Sequence, residues 1–501
     1  MASRRLQIST WNIAAINNNP FEYWITYNDA YERLMLNVEE FLENPGERDV
    51  IVPQVFSEQM FQDLSQRMTA VGWPSVASYW ENDYSKRTIV NGFLKDGGLG
   101  KKRLASMPDR ITNTIFTSDG TAVFRPTVIN MYEEDLSNQD MWWGKWSKFM
   151  FDTDLSIKGK EGVQNLKPYA MLKPIKKDKY PAIGEQEEKD SLPLQTLCGA
   201  IFDAILVHMM NTVSTPDVWQ PLKHEMVLAL NKQKVPNTLK ILQTQYTDSN
   251  IITLQEVSSS FIDMAREGPI GQRYHVLAPS NMDSTRDQNS VILLDRTTFP
   301  HGIGEEITAK VTFPKDAKVP VAPGDLLAVT ATTVDGLPLV IASFHGDTNG
   351  LATKPVLDAV VQAMQRDGLG DHQLVFGMDA NTYEHAKPGE QQDVLDFATR
   401  YRHHGLTSCW GDTPNPSNYT TYNARTYLQP QLNKACKQSE KRANGDVNPK
   451  DFILFPKSSF TVEKTWKDNT GTRAYTEDMA FPTLQFPSDH GILSTVVDIK
   501  L

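Results

Sequence analysis

The chain has 501 residues and a formal net charge of −11. The length allows two to four domains, and the charge weighs against a processive nuclease that coats duplex DNA. Hydrophobic residues make up 40% of the sequence and charged residues 22%, so a sizeable core is expected. The three cysteines are far apart and odd in number, which excludes a disulfide framework or a structural zinc site and favours a reducing compartment.

No transmembrane segment is expected, because we find no window of about eighteen continuous apolar residues. The N-terminus leads directly into a strand-like run and shows no apolar signal-peptide core. From these two observations we predict an intracellular, cytoplasmic protein.

The elements predicted along the chain change character twice. A strand is predicted at 6–14 and a helix at 30–42, and helical patterns such as 54–68 and 194–213 then prevail from about 45 to 245. From residue 249 strands alternate with helices. In that part we predict strands at 250–254, 290–294, 327–332, 337–344, 373–377, 452–455 and 492–499, and helices at 256–265, 352–364 and 391–401. This alternation predicts an α/β sandwich.

Five short motifs each place a polar side chain at the end of an apolar strand. They are Thr10-Trp11-Asn12-Ile13, Leu254-Gln255-Glu256-Val257, Gly377-Met378-Asp379-Ala380-Asn381, Asp451-Phe452-Ile453-Leu454-Phe455 and Ser488-Asp489-His490-Gly491. Metal-assisted cleavage of a phosphoester needs a Lewis acid on a phosphoryl oxygen, an oriented water and donors for the developing charge. Together the motifs supply residue types suited to all three tasks.

Glu256 is the predicted metal ligand, because Mg²⁺ takes oxygen ligands and one or two carboxylates can suffice. The competing interpretation is an ordinary acidic residue at a helix N-terminus. Asp379 and Asn381 are predicted to share one side of their strand, with Asp379 on the attacking water and Asn381 on a phosphoryl oxygen. Their alternative is an Asx turn. Asn12 is predicted to position the metal and the carboxylates, and its alternative is a simple cap.

Two histidines complete the predicted site. Asp451 and His490 are expected to pair, which fixes the imidazole tautomer and supports a positive charge. His345 also ends a strand and is expected to donate to the scissile phosphate. The general base is left open between Asp379 and His490.

A basic stretch at 422–449 contains the predicted substrate contacts Arg425, Lys434 and Arg442. We consider two interpretations of this stretch: a solvated loop and a mobile flap that receives a substrate phosphate.

The motifs resemble those of the endonuclease/exonuclease/phosphatase (DNase I-like) superfamily. Its Asn, Gln-Glu, Asp-x-Asn, Asp and Ser-Asp-His motifs match Asn12, Gln255-Glu256, Asp379/Asn381, Asp451 and Asp489-His490, and its phosphate-contacting His matches His345. The resemblance covers residues 5–14 and about 249–500. It implies a four-layer α/β sandwich, a Mg²⁺ or Mn²⁺ cofactor held by Glu256 with Asn12 and Asp489, and hydrolysis of a phosphoester in an oligonucleotide or a small phosphorylated molecule.

One departure from that superfamily is large, because Asn12 and Glu256 are 244 residues apart. We therefore predict a catalytic domain at 1–44 and 246–501, with a mainly helical insertion at 45–245 as a candidate lid over the active site. A metal-dependent phosphodiesterase or nuclease is the leading hypothesis. The alternatives are a phosphomonoesterase on an inositol polyphosphate or another small polyanion, and a non-catalytic scaffold that binds through the insertion.

Overall fold

The structure, a computed structural model, describes residues 5–105, 110–159, 162–282, 288–314 and 316–500. The chain divides into two compact units. Unit 1 comprises Met1–Ile16, Ala229–Ala424 and Arg442–Leu501, and unit 2 comprises Asn17–Leu228 and Arg425–Lys441. These units are defined by contacts within the structure. The domain boundaries predicted at 44/45 and 245/246 stay predictions.

The strands belong to two large sheets and three two-stranded ribbons. In chain order they are β1 Arg5–Asn12, β2 Thr114–Phe116, β3 Ala122–Phe124, β4 Leu155–Gly159, β5 Gly162–Leu166, β6 Ile251–Val257, β7 Tyr274–Leu277, β8 Asn289–Asp295, β9 Leu326–Thr332, β10 Pro338–His345, β11 Gln373–Asp379, β12 Thr382–Tyr383, β13 Gln392–Asp393, β14 Leu406–Ser408, β15 Asp451–Pro456, β16 Phe460–Asp468 and β17 Ile492–Ile499.

The helices lie before, between and after these strands. In chain order they are α1 Asp29–Glu43, α2 Glu58–Ala70, α3 Ala77–Asn82, α4 Gly97–Lys101, α5 Arg110–Asn113, α6 Gln139–Asp152, α7 Glu185–Lys189, α8 Ser191–Val213, α9 Pro216–Val227, α10 Lys234–Gln245, α11 Ser259–Glu267, α12 Pro269–Arg273, α13 Thr353–Arg366, α14 Val394–His403 and α15 Lys441–Asn444.

Unit 1 contains both large sheets. The six-stranded sheet has the order β16-β17-β1-β6-β8-β7, and the five-stranded sheet has the order β14-β15-β11-β10-β9. In each sheet one central pair is parallel, β1 with β6 and β10 with β11, while the other neighbours are antiparallel. The parallel pairs direct the carboxyl ends of four strands to the same side of their sheets.

Apolar side chains fill the space between the two sheets and cover their outer faces. Ile8 and Ile251 of the six-stranded sheet belong to one buried cluster with Ile341, Val375 and Ile453 of the five-stranded sheet. Alternate residues point outward, where helices α10 to α12 cover the six-stranded sheet and helices α13 and α14 cover the five-stranded sheet. The predicted four-layer α/β sandwich is therefore confirmed.

Gly377 of β11 lies close to the opposite sheet. A Cβ atom built on Gly377 would lie 1.9 Å from Thr253 Oγ1 and 3.1 Å from Thr10 Oγ1. Thr253 and Thr10 belong to the opposite sheet, so a side chain at position 377 would force the sheets apart.

Unit 2 is mainly helical and has its own core. Trp142, Trp143 and Trp146 of α6 are buried in this core. A buried ion pair joins Arg125 to Asp203 of α8 at 2.7 Å, and the indole of Trp146 donates to the same carboxylate at 2.9 Å.

Helix α8 bears on the expectation that the chain has no transmembrane segment. It is 23 residues long, and its length and composition alone would allow a span, whereas 78% of its apolar window is buried inside the protein. Burial of this extent is typical of a core helix. The length and apolar composition of α8 are therefore only weak evidence for a membrane segment.

The structure also corrects the predicted start of the helix at 256. Strand β6 continues through Glu256 to Val257, and α11 begins only at Ser259. Glu256 is thus a strand residue, and its interpretation as an acidic residue at a helix N-terminus is wrong.

Candidate active site

The strand pairing brings the predicted site residues to one edge of the sandwich. On β1 and β6, Asn12 pairs with Gln255. In the five-stranded sheet, His345 at the end of β10 pairs with Asp379 at the end of β11, and Asp379 also pairs with Asp451 at the start of β15. Three residues with ionisable side chains therefore lie side by side on neighbouring strands.

The Ser-Asp-His segment is tied to the end of β1 by hydrogen bonds. Ser488 Oγ donates to the carbonyl oxygen of Asn12 at 2.6 Å and accepts the N–H of His490 at 3.1 Å. The indole N–H of Trp11 donates to the carbonyl oxygen of His490 at 2.9 Å. These contacts hold His490 beside Asn12, although 476 residues separate Asn12 from Ser488.

Glu256 reaches the site through a distortion of its strand. The register of β6 against β8 shifts between Leu254 and Val257, and Glu256 has a left-handed φ of 54°, which is uncommon for a residue other than glycine. An extra residue in one strand re-aims the local side chains. The Glu256 carboxylate accepts from Asn12 Nδ2 at 3.0 Å and from the Ala15 N–H at 2.7 Å.

Those contacts keep Glu256 ionised. Burial alone would raise the pKa of Glu256, but His345, the Ala15 amide and Asn12 outweigh burial and lower the pKa to about 2. The Nε2 atom of His345 lies 3.2 Å from Glu256 Oε1. Glu256 is therefore anionic over the whole physiological pH range.

Asp379 is the residue on which the other side chains converge. Its Oδ2 accepts from Asn12 Nδ2 at 2.9 Å and lies 3.6 Å from His345 Nε2 and 3.7 Å from His490 Nε2. Its Oδ1 accepts the backbone N–H of Asn381 at 2.9 Å. The side chain of Asp379 is 1% exposed, so these contacts fix its position.

Asn381 adopts the turn that the sequence offered as the alternative. It has a left-handed φ of 46°, and its contact with Asp379 Oδ1 is that of an Asx turn. The prediction attributed the shared side of Asp379 and Asn381 to strand alternation. That reason is wrong, because β11 ends at Asp379. The turn itself brings the amide of Asn381 to 3.4 Å from Asp379 Oδ2.

The predicted pair of Asp451 and His490 is present. His490 Nδ1 and Asp451 Oδ2 are 2.9 Å apart, and the side chains are 7% and 0% exposed. Burial would lower the pKa of His490, but the carboxylates of Asp451 and Asp379 outweigh burial and raise the pKa well above its usual range. The imidazole is therefore held in one orientation by Asp451 and offers Nε2 toward Asp379.

Lys450 is a site residue that sequence reasoning missed. Its ammonium group donates to Asn381 Oδ1 at 3.0 Å, pairs with Asp446 at 2.8 Å and lies 4.9 Å from the centre of the Tyr383 ring. Burial would lower the pKa of Lys450, but Asp446, Tyr383 and Asp379 outweigh it and raise that pKa above its usual range. The sequence shows Lys450 only as the edge of a basic stretch, so no local signal revealed it.

Gln255 links the two sheets directly behind the site. Its Nε2 donates to Ser343 Oγ at 3.0 Å and to Thr10 Oγ1 at 3.2 Å, and Ser343 Oγ donates to the carbonyl oxygen of Leu254 at 2.9 Å. Buried polar groups that satisfy one another fix a single packing arrangement. The Gln of the Gln-Glu motif is thus a bridge between sheets.

Two groups of side chains in the described part of the chain offer ligand atoms within 4.8 Å of one another: Glu256 with His345 and Asp379, and Asp379 with Asp451 and His490. Glu256 and Asp379 supply the oxygen ligands that Mg²⁺ and Mn²⁺ favour. In addition, Asp451 Oδ1 is buried and has no hydrogen-bond partner among the described residues. The donor set therefore fits a divalent cation.

The other predicted contacts are more scattered. Asp489 belongs to neither ligand group, and its carbonyl oxygen accepts from Asn423 Nδ2 at 3.4 Å. Arg442 pairs with Asp478 at 3.1 Å. Arg425 and Lys434 belong to unit 2, where Arg425 pairs with Glu22 and lies 5.2 Å from the centre of the Tyr23 ring. The metal role of Asp489 and the substrate roles of the three cations stay predictions.

Two packed sheets flanked by helices, with the five motifs joined at one edge in the order the resemblance requires, decide the fold of unit 1. Unit 1 has the endonuclease/exonuclease/phosphatase fold. Its metal-type residues come from chain segments on both sides of the long excursion between Ile16 and Ala229.

Comparison with solved structures finds chains that are similar to part of this chain at low identity. The catalytic domain of human Nocturnin with bound sulfate matches at 16% identity and a TM-score of 0.35, over 53% of this chain and 86% of that chain. An endonuclease/exonuclease/phosphatase family protein from Bacteroides thetaiotaomicron matches at 15% and 0.34, over 54% and 90%. Truncated Caenorhabditis elegans TDP2 matches at 14% and 0.34, over 54% and 93%.

A second comparison concerns the part of the chain outside the endonuclease/exonuclease/phosphatase fold. Residues 49–224 match a family model described as a domain of unknown function (DUF8234). No curated protein matches the sequence.

Proposed function

We propose that unit 1 is a phosphodiesterase that depends on Mg²⁺ or Mn²⁺ and cleaves its substrate by in-line attack of water. The observation that supports this most is the convergence on Asp379, whose buried carboxylate contacts Asn12 and lies within 4 Å of both His345 and His490. A carboxylate flanked by an amide and two imidazoles combines a water-orienting group with donors for a developing negative charge.

Glu256 would hold the cation, with Asn12 and Asp379 beside it and Asp489 as a further predicted ligand. When bound, the cation supplies Lewis-acid polarisation of a phosphoryl oxygen. The hydrogen bonds from Asn12 and the Ala15 amide to the Glu256 carboxylate orient it for this task.

The chain's own residues supply the remaining chemistry. Asp379 orients the attacking water and accepts its proton. Because the position of Asp379 is fixed, the entropy cost of reaching the reactive geometry is lower. The Nδ2 group of Asn381 donates to a phosphoryl oxygen, while Lys450 holds the other end of the same amide. His345 and His490 donate to the oxygens on which charge builds up.

The phosphomonoesterase alternative relied in part on a basic flap. Arg442 and Arg425 are both engaged in ion pairs with carboxylates of their own units. We therefore retain a phosphodiesterase as the single proposed function.

The decisive experiment measures hydrolysis with Mg²⁺ or with EDTA on three substrates: a single-stranded oligonucleotide, bis-p-nitrophenyl phosphate and an inositol polyphosphate. We expect metal-dependent cleavage of the two diesters and a loss of at least about a hundredfold in Asp379→Ala. Asp263→Ala, which changes an exposed carboxylate on α11, serves as the matched control. Phosphate release from the inositol substrate alone, or full activity in Asp379→Ala with folding verified by circular dichroism, would contradict the proposal.

A further inference from the structure

Unit 2 contains a cavity that the proposed reaction does not use. Its volume is about 460 Å³, within the range of small-molecule sites. Three separate segments of unit 2 line it: the loop at 17–22, the residues around β2 and the segment at 425–434. Side-chain amides are abundant in its lining.

Hydrogen bonds fix the walls of this cavity. Asn17 Oδ1 accepts the N–H of Asn19, whose own amide group donates to the carbonyl oxygen of Leu428 at 2.7 Å. The N–H of Thr426 donates to the carbonyl oxygen of Glu22 at 2.9 Å. The loop and the distant segment are thus joined before any ligand arrives, which lowers the entropy cost of binding.

Two polar atoms in the lining have no hydrogen-bond partner among the described residues. They are Gln429 Nε2 and Thr114 Oγ1, and both atoms are buried. Gln429 is only 3% exposed, so its amide is not satisfied by bulk water either. A buried polar group without a partner costs free energy, and a rotation of each side chain toward the cavity would let a ligand there satisfy it.

The remaining lining residues indicate the chemistry of that ligand. Phe116 lies at the end of β2 and is 62% exposed, so its ring is available to a planar partner. Lys434 is exposed in the same lining and suits a phosphate group. An aromatic face, amide donors and a cation together are the contacts by which proteins bind a single nucleotide.

We propose that this cavity binds one nucleotide. Its base would stack on Phe116 and bond to Gln429 Nε2 and Thr114 Oγ1, and its phosphate would contact Lys434. The inference rests on the proposed phosphodiesterase function in one respect. A nucleotide site would make oligonucleotides the substrate class of that reaction. Binding itself requires no catalysis.

Calorimetric titration of the intact protein with AMP in EDTA tests this site, with inorganic phosphate and ribose 5-phosphate as partial probes. AMP should bind more tightly than either partial probe. Phe116→Ala should weaken AMP binding at least about fivefold, and Thr114→Val with Gln429→Leu should weaken it further. Val163→Ala on β5, which changes an apolar residue of the same 62% exposure, should leave the affinity unchanged.

A structural role alone predicts a different result for the polar pair. Replacing two unsatisfied buried atoms with apolar groups of similar shape should leave the unfolding midpoint unchanged or raise it, so weaker AMP binding in a stable variant identifies a ligand contact. The proposal is overturned by an AMP affinity that none of the pocket substitutions changes, or by equal binding of ribose 5-phosphate. Loss of metal-dependent cleavage with AMP binding intact would reject only the proposed reaction, and intact cleavage without AMP binding would reject only this site.

Discussion

Lys450 shows how one buried cation organises several groups of the site at once. It contacts Asn381 Oδ1 and Asp446, and it precedes Asp451 in the chain. The side-chain amide of Asn381 has an oxygen acceptor and a nitrogen donor. Because the ammonium group of Lys450 binds the oxygen, the Nδ2 donor points away from Lys450. In the proposed reaction Lys450 is therefore a positioning residue, which would act on the substrate through Asn381.

We expect Lys450→Met to lower kcat and to leave KM within about threefold of the native value, because Asn381 would lose its orientation while ground-state contacts remain. Stability should fall by about 1 to 3 kcal/mol, since Asp446 and Asn381 each lose a partner. Steady-state kinetics and urea unfolding measure both effects.

The matched control is Lys457→Met, which breaks a pair with Asp412 at the surface. The Lys457 side chain is 65% exposed, and surface ion pairs contribute about 0 to 1 kcal/mol. Equal effects of the two substitutions on kcat would show that Lys450 does not position Asn381.

At the scale of single elements, the inner strands of unit 1 could be predicted because they are buried on both faces. Strands β10, β11 and β15 consist of nearly continuous apolar residues, and such runs predict buried strands directly. The motifs at their ends followed from the same pattern. The assembly of Asn12, His345, Asp379, Asp451 and His490 at one edge was thus accessible from the sequence through the resemblance.

The conformation of Glu256 could not be predicted from the sequence pattern. Its left-handed φ belongs to a register shift between β6 and β8, and the sequence of β6 alone does not specify a register. Lys450 was missed for a related reason, since its burial depends on Tyr383 and Asn381, which tertiary contacts bring to it. Local sequence patterns reveal strands and caps, whereas bulges and buried pairs depend on distant partners.

Gly377 links the packing of the sheets to the site, and Gly377→Ala tests this link. The added methyl would overlap Thr253 Oγ1, and overpacking of a core costs about 1 to 3 kcal/mol. We expect a lower urea midpoint and lower activity, because Met378 and Asp379 follow on the same strand. Gly370→Ala is the control, since a Cβ there meets nothing within 4 Å.

A second substitution identifies the cause of that loss. Thr253→Ala removes the atom that the new methyl would strike, so Gly377→Ala combined with Thr253→Ala should recover part of the lost stability. Purely additive losses in the double variant would mean that the sheets do not meet at Gly377 as described.

Helix α9 of unit 2 supplies a prediction about pH. Lys223 is buried, and its ammonium group donates to the carbonyl oxygens of Thr127 at 2.9 Å and Tyr132 at 2.6 Å. Burial lowers the pKa of Lys223 to about 7, although Glu133 opposes the shift. An unfolded lysine has a pKa of about 10.4, so between these values the unfolded chain binds the extra proton.

Stability therefore rises with pH in that window as far as Lys223 is concerned. We expect the free energy of unfolding of the native protein, measured relative to Lys223→Met, to increase by more than about 1 kcal/mol between pH 7 and pH 10. Lys148→Met, on the exposed surface of α6, should show no such pH-dependent difference. A flat difference between native protein and Lys223→Met would show that Lys223 keeps an ordinary pKa.

At the scale of the whole molecule, the site depends on segments that the chain connects only over long distances. Unit 1 is interrupted by Asn17–Leu228 and again by Arg425–Lys441, and Asn12 precedes the first interruption while Glu256 follows it. The metal-type residues therefore meet only in the folded state. A ligand held by residues from several segments should consequently stabilise the folded state as a whole.

Divalent cations therefore provide a test that involves no substrate. At a concentration about a hundredfold above its dissociation constant, a bound cation adds about 2.7 kcal/mol to the free energy of unfolding. We expect Mg²⁺ or Mn²⁺ to raise the thermal unfolding midpoint of the EDTA-treated protein by several degrees. Glu256→Gln should abolish this rise, because it removes the ionised oxygen ligand while it preserves the shape of the side chain.

The net charge of −11 makes the control essential, since any acidic protein attracts divalent cations without a specific site. Glu267→Gln on α11 removes the same single charge from an exposed position and should leave the cation-induced rise intact. Because both variants have the same net charge, only a specific site distinguishes them. A rise that persists equally in Glu256→Gln and Glu267→Gln would place the cation elsewhere on the surface and reject Glu256 as its ligand.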